Sequence, residues 1–95
     1  VNHLYTEAQS LLREYLPIAR RVLGRDDRLT FFVTEQLATA IAQYGAAPRE
    51  DLLESIEMHT ELIQGLRRVM GAQHPMTRRN EGNLRLLREY LARLG

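Results

Sequence analysis

The chain has 95 residues, of which 44% are hydrophobic and 26% charged, and its formal net charge is +1 at pH 7. It contains no cysteine, which excludes disulfides, thiol catalysis and cysteine-ligated metal. A chain of this length forms one small domain with a modest core, and no apolar run reaches the roughly 20 residues that cross a bilayer.

The first segment has apolar residues at the three- and four-residue spacing of an amphipathic helix. We predict a helix over residues 4–23 that ends at Gly24 and kinks near Pro17, because proline lacks the amide hydrogen that a regular helix uses. Since the helical pattern starts almost at Val1, we expect the chain to be a fragment or C-terminal part of a longer repeat array. The predicted apolar stripe comprises Leu4, Ala8, Leu11, Leu12, Tyr15, Ala19, Val22 and Leu23.

A second helix is predicted over residues 28–44. Asp26 or Asp27 is expected to cap its start, and Gly45 to close it. Its predicted stripe comprises Leu29, Phe32, Val33, Leu37, Ala40, Ile41 and Tyr44.

Two further helices are predicted over residues 51–70 and 75–94. The third has an apolar stripe wide enough to touch two neighbouring helices, and the fourth opens at Pro75, a residue suited to a first helical turn. The seam of the fourth helix comprises Leu84, Leu87, Leu91 and Leu94. Four helical patterns predict an all-α fold.

Residues 20–30 recur as residues 67–77, at a shift of 47 residues. The shift pairs Gly24 with Gly71 and Thr30 with Thr77, and it keeps apolar positions apolar. A unit that recurs at such a period cannot bury its apolar face alone and must stack on its neighbours. The sequence therefore predicts a repeat protein with roughly two units in this chain.

The junctions carry a second level of pattern. The first contains Val22-Leu23-Gly24, Asp26 and Thr30, and the second contains Val69-Met70-Gly71, His74-Pro75 and Thr77. Gln36-Leu37 and Asn83-Leu84 follow at the same distance from the two threonines. Over nearly the whole chain this pattern resembles tetratricopeptide repeats of the kinesin-light-chain subclass, which have a leucine-glycine-x-aspartate-histidine-proline-x-threonine junction followed by asparagine-leucine.

The resemblance implies an antiparallel helix-pair solenoid, whose second and fourth helices here line a groove for a peptide or an extended protein segment. Gln36 and Asn83 are the best candidate ligands of a peptide backbone, because amides both donate and accept hydrogen bonds. Arg79 could pair with a carboxylate of a partner. All of these could instead be solvated helix residues. The residues that the resemblance places on the groove are Phe32, Glu35, Gln36, Thr39, Arg79, Asn83 and Leu86.

Two other functions stay open. The chain could be a structural subunit that docks by its helix edges, or by its open N-terminal face, within a larger multiprotein complex. A more distant alternative is an RNA-associated helical repeat, although a net charge of +1 and few aromatic residues offer little to nucleic acid. We expect an intracellular location, but the sequence does not indicate whether it is the cytoplasm or an organelle.

No catalytic, cofactor or metal motif is recognised. The sequence has no phosphate-binding glycine loop and no nucleophile elbow. His3, His59 and His74 lack the spacing of a helical zinc site. Ser55 and His59 are four residues apart and could touch on one helix, but without an orienting acid the pair is expected to serve packing. We therefore expect a non-catalytic protein without a metal or cofactor.

Overall fold

A computed structural model of the chain describes residues 2–95, and the side chains of all of these except Asn2, His3, Tyr5 and Tyr44. Tyr44 of the predicted second stripe therefore lies outside the described side chains. The four α-helices are α1 (Asn2–Val22), α2 (Arg28–Ala42), α3 (Arg49–Val69) and α4 (Pro75–Leu94), and a short 3-10 helix, Gln43–Gly45, follows α2. Residues 2–95 contain no strand. The predicted all-α class with four helices is confirmed.

None of the helices in residues 2–95 combines the length and the apolar character that a membrane-spanning helix needs.

The helix boundaries repeat along the chain. The end of α3 lies 47 residues after the end of α1 (22 to 69), and α4 starts 47 residues after α2 (28 to 75). Both junction glycines have a positive φ, 95° at Gly24 and 99° at Gly71, which residues with a side chain rarely adopt. The 47-residue shift found in the sequence is therefore also present in the backbone, in the helix bounds and in the conformation of the junction glycines.

The caps of α2 and α4 repeat as well. Of the two aspartates predicted as caps, Asp27 is the one used, and its Oδ1 accepts from the amide of Leu29 at 2.9 Å. In α4 the Nδ1 atom of His74 accepts from the amide of Met76 at 3.1 Å. The two helices thus start in the same way: an aspartate in α2 and a histidine in α4 accept a hydrogen bond from the amide two residues later. Either side chain can serve because each offers an acceptor atom.

Successive helices run in opposite directions. Gln9 near the start of α1 donates to the carbonyl oxygen of Ala40 near the end of α2, and Thr30 at the start of α2 donates to that of Ala19 near the end of α1, both at 3.4 Å. The core contacts show that α3 is also antiparallel to α2 and to α4. The end of α3 packs beside the starts of α2 and α4, and the start of α3 packs beside their ends.

The core is built around α2. The buried apolar side chains that the structure describes form three groups, and α2 contributes to each of them. Phe31 belongs to the first group, Ala42 to the second, and Leu37 and Ile41 to the third. The first joins α2 to α3 and α4, the second includes Leu87 of α4, and the third includes α1. Each of the other three helices therefore contacts α2.

Parts of the predicted stripes are not buried. Phe32 is 49% exposed, whereas the neighbouring Phe31 is buried. In α1, Leu16 is the buried leucine although it was outside the predicted stripe. Helix α1 continues through Pro17. Predicted stripe residues that are exposed are Leu4, Leu11, Tyr15, Val22, Leu23, Leu29 and Leu94. The stripes were wrong at these positions because periodicity locates an apolar arc but not the part of it that a neighbouring helix covers.

The two leucines that the 47-residue shift equates differ in burial, and we expect their truncation to differ in cost. Leu37 is buried and Leu84 is half-buried. Leu37→Ala should lower the free energy of unfolding by about 2–5 kcal/mol, and Leu84→Ala by clearly less, because fewer contacts are lost. Urea unfolding followed by far-UV circular dichroism measures both. Equal losses would contradict the placement of α2 at the centre of the core.

Candidate functional site

The sequence-predicted site residues lie on two helices that contact each other, α2 and α4. Thr39 of α2 and Asn83 and Leu86 of α4 line one cavity of about 100 Å³, together with Ala42, His59, Leu87 and Tyr90. Phe32 and Arg79 line a second, more open cavity of about 250 Å³, together with Arg28, Met70, His74 and Met76. Gln36 is exposed on α2, four residues after Phe32 and three before Thr39. We call the surface formed by Phe32, Gln36, Thr39, Arg79, Asn83 and Leu86 the α2–α4 face.

Glu35 is a predicted site residue whose carboxylate is bound within the chain. It is 3% exposed, and its carboxylate accepts from Arg79 Nε and Nη2 at 2.8 and 2.9 Å. Asn80 Nδ2 donates to the same carboxylate at 2.9 Å. The hydrogen bond to Glu35 and the nearby negative charge raise the pKa of Arg79, although desolvation opposes this. Glu35 therefore ties α2 to α4.

Arg79 has a different environment from the one predicted. We predicted a guanidinium that either awaits a partner's carboxylate or is solvated, whereas two of its nitrogens bind Glu35 within the chain. The pairing is bidentate, which fixes the plane of the guanidinium. The Arg79 side chain is still 54% exposed, so it forms part of the α2–α4 face while it is held in place.

His59 lies beneath the α2–α4 face and is 1% exposed. Its Nδ1 is 2.8 Å from the carbonyl oxygen of Ser55, and we assign the proton to Nδ1 because a carbonyl can only accept. Burial lowers the pKa of His59, against smaller opposing effects of the Ser55 hydrogen bond and of Glu35. The neutral ring leaves Nε2 as an acceptor, and this atom has no partner among the described residues.

The Ser55–His59 pair has the geometry of helix packing. The Ser55 hydroxyl donates to the carbonyl oxygen of Ala38 in α2 at 2.7 Å, and its oxygen is 3.3 Å from His59 Nδ1. Ser55 is 0% exposed, so its oxygen cannot reach a substrate in solution. The pair joins α3 to α2.

Sequence reasoning missed Asn80 as a member of this region. Asn80 is fully buried; besides Glu35, its Nδ2 reaches the carbonyl oxygen of Met76 at 2.8 Å. A signal was present in the sequence, because Thr77, Asn80, Leu84 and Leu87 continue one seam at three- and four-residue spacing. A polar residue on such a seam indicates a buried amide that requires a hydrogen-bond partner.

No protein-family model, curated protein or solved structure matches this chain. Among the described side chains, no three histidine, aspartate or glutamate residues group where they could hold a metal ion.

Loss of the Arg79 guanidinium should destabilise the fold, because Glu35 would keep a buried charge with fewer partners. We expect Arg79→Ala to cost roughly 1–3 kcal/mol, less than a fully buried pair, since Arg79 is half exposed. The matched control is Arg13→Ala, whose ion pair with Glu54 has side chains 48% and 41% exposed and should contribute less than about 1 kcal/mol. Urea unfolding measures both, and an equal cost would contradict the linking role of Glu35.

His59 should make stability depend on pH. Its pKa in the folded state is below the ordinary value of 6.5, so the unfolded chain takes up the proton first as the pH falls. The contribution of the neutral His59 ring to the free energy of unfolding is therefore complete above pH 6.5 and declines below that value. We expect His59→Phe to weaken this decline relative to wild type, measured as urea unfolding free energies from about pH 8 to about pH 5. Parallel pH curves for the two proteins would contradict a buried neutral His59.

Proposed function

We propose that the chain is a non-catalytic protein-interaction module, which binds a peptide or an extended protein segment along the α2–α4 face. We further propose that its helices form two units of a tetratricopeptide-like antiparallel helix-pair solenoid. The 47-residue repeat of helix bounds and caps supports the two units. Two ion pairs support side-by-side stacking, since Arg13–Glu54 joins α1 to α3 and Glu35–Arg79 joins α2 to α4.

The observation that carries this proposal is the mixed chemistry of the α2–α4 face. Phe32 and Leu86 are large apolar side chains that are 49% and 50% exposed, and each lines a cavity. Gln36 and Asn83 offer amides on the same pair of helices. Apolar side chains can hold the side chains of a ligand, while amides can donate to and accept from its backbone.

The dimensions of the face favour a short extended segment. From Phe32 to Thr39 a helix rises about 10 Å, because each residue adds about 1.5 Å. An extended peptide covers roughly 3.3 Å per residue, so about three of its residues would lie along this part of α2. The bidentate Glu35–Arg79 pair joins α4 to α2, the two helices that form the walls of the face.

A second candidate is a structural subunit that docks into a larger assembly by its helix edges. The exposed apolar residues of α1 favour this function, because they lie on a helix outside the α2–α4 face. The two functions use different surfaces and can be separated by substitution.

Selection of a random peptide library displayed on phage against the chain tests the peptide-binding function. We expect Gln36→Ala and Asn83→Ala each to weaken a selected peptide about fivefold to tenfold, because each removes a hydrogen bond worth about 1 kcal/mol. Isothermal titration calorimetry measures the affinities. Gln64→Ala is the matched control, since Gln64 is exposed on α3 and lines a cavity on another surface. Failure to select any peptide, or equal affinities for all variants, would refute the proposal.

A further inference from the structure

Helix α1 exposes a row of apolar side chains, which we call the α1 stripe. Its members are Leu4, Ala8, Leu11, Tyr15, Ile18 and Val22. They alternate at spacings of four and three residues, the a and d positions of a heptad repeat. Except for Ala8, which is half-buried, they are 45% to 70% exposed. The row therefore has the pattern of a helix–helix seam and lacks a partner within the described part of the chain.

The α1 stripe is distinct from the face that packs in the core. Leu16 is the buried leucine of α1, and it contacts Leu37 and Ile41 of α2, with Leu12 beside it. Leu12 and Leu16 fall at the e and b positions of the same heptad, outside the stripe. The kink-prone Pro17 is exposed and also falls outside it. A second helix could thus pack on the stripe without displacing α2 or α3.

The length of the stripe suits another helix. From Leu4 to Val22 a helix rises about 27 Å. Soluble monomers rarely expose apolar patches larger than a few hundred Å², and larger ones mark interaction sites. A row at a and d positions accepts the knobs of a similar row, which makes a helix with the same spacing the best-fitting occupant.

The charges beside the stripe are complementary to those of a second copy in the opposite orientation. The g positions of this heptad are Glu7, Glu14 and Arg21. Antiparallel packing that places Leu4 against Val22 of a second copy, and Leu11 against Tyr15, brings Glu7 beside Arg21 twice by symmetry. Glu14 then lies near its own symmetry mate, which is mildly unfavourable. Parallel packing would instead set Glu7 and Glu14 beside apolar e positions, without a charged partner.

The geometry points to a homodimer in which the α1 stripes of two copies of this chain pack against each other antiparallel. The dimer leaves the α2–α4 face free, because no residue of that face belongs to the stripe. It does not depend on peptide binding.

Sedimentation equilibrium tests the dimer from micromolar to millimolar concentration. Wild type should approach twice the 11.0 kDa mass of the chain. Leu11→Glu should raise the dissociation constant at least about tenfold, because it buries an unpaired carboxylate in the seam. Leu53→Glu is the matched control, since Leu53 is a similarly exposed leucine on α3 and its replacement should leave the dimer intact. A wild-type mass of 11.0 kDa at every concentration, or equal effects of both substitutions, would overturn the proposal.

A charge exchange tests the orientation and does not alter the apolar seam. Glu7→Arg alone and Arg21→Glu alone should each weaken the dimer by roughly threefold to tenfold, because each places like charges together twice. The double variant should restore wild-type affinity, since it exchanges the members of both pairs. Additive weakening in the double variant would exclude the antiparallel register, and far-UV circular dichroism verifies that all variants are folded.

Discussion

The structure depends on the burial of α2 between the other three helices. Nine of its fifteen residues are buried, among them Ala38, Ala40 and Ala42, whose small side chains allow close approach. The Ser55 hydroxyl of α3 donates a hydrogen bond to the Ala38 carbonyl oxygen at 2.7 Å. A side chain larger than alanine at position 38 would obstruct this contact. The buried hydroxyl of Thr34 donates within its own helix to the carbonyl of Thr30 at 2.8 Å. A domain this small has no second core that could replace these contacts.

The same helix forms one wall of the candidate binding surface. Phe32 and Gln36 face outward on a helix whose neighbouring positions, Phe31 and Glu35, are fixed in the core and in the ion pair with Arg79. Side chains on such a helix are held more firmly than side chains on a loop, which reduces the entropy lost when a ligand binds. Stability and the geometry of one wall of the candidate surface thus depend on the same helix, and core substitutions in α2 should also disturb that surface.

Much of the architecture could be predicted from local chemistry, because Gly24, Gly71, Asp27 and Pro75 act on the backbone beside them. Tertiary contacts were harder to predict. The sequence runs Phe31-Phe32-Val33, and periodicity alone cannot say which phenylalanine is buried. Gly65 decides it, since a Cβ there would lie 3.0 Å from the Phe31 ring. The candidate site residues were chosen through the resemblance to tetratricopeptide repeats. The burial of Glu35 was missed because its partner Arg79 lies 44 residues away.

Native-state hydrogen exchange resolved by NMR tests the central place of α2 most directly. If α2 holds the other helices together, the amides of Leu37 to Ala42 should be the slowest to exchange, with opening free energies equal to that of global unfolding. Amides in the first turns of α1 and the last turns of α4 should exchange earlier through local opening. Faster exchange in α2 than in α1 or α4 would contradict the account.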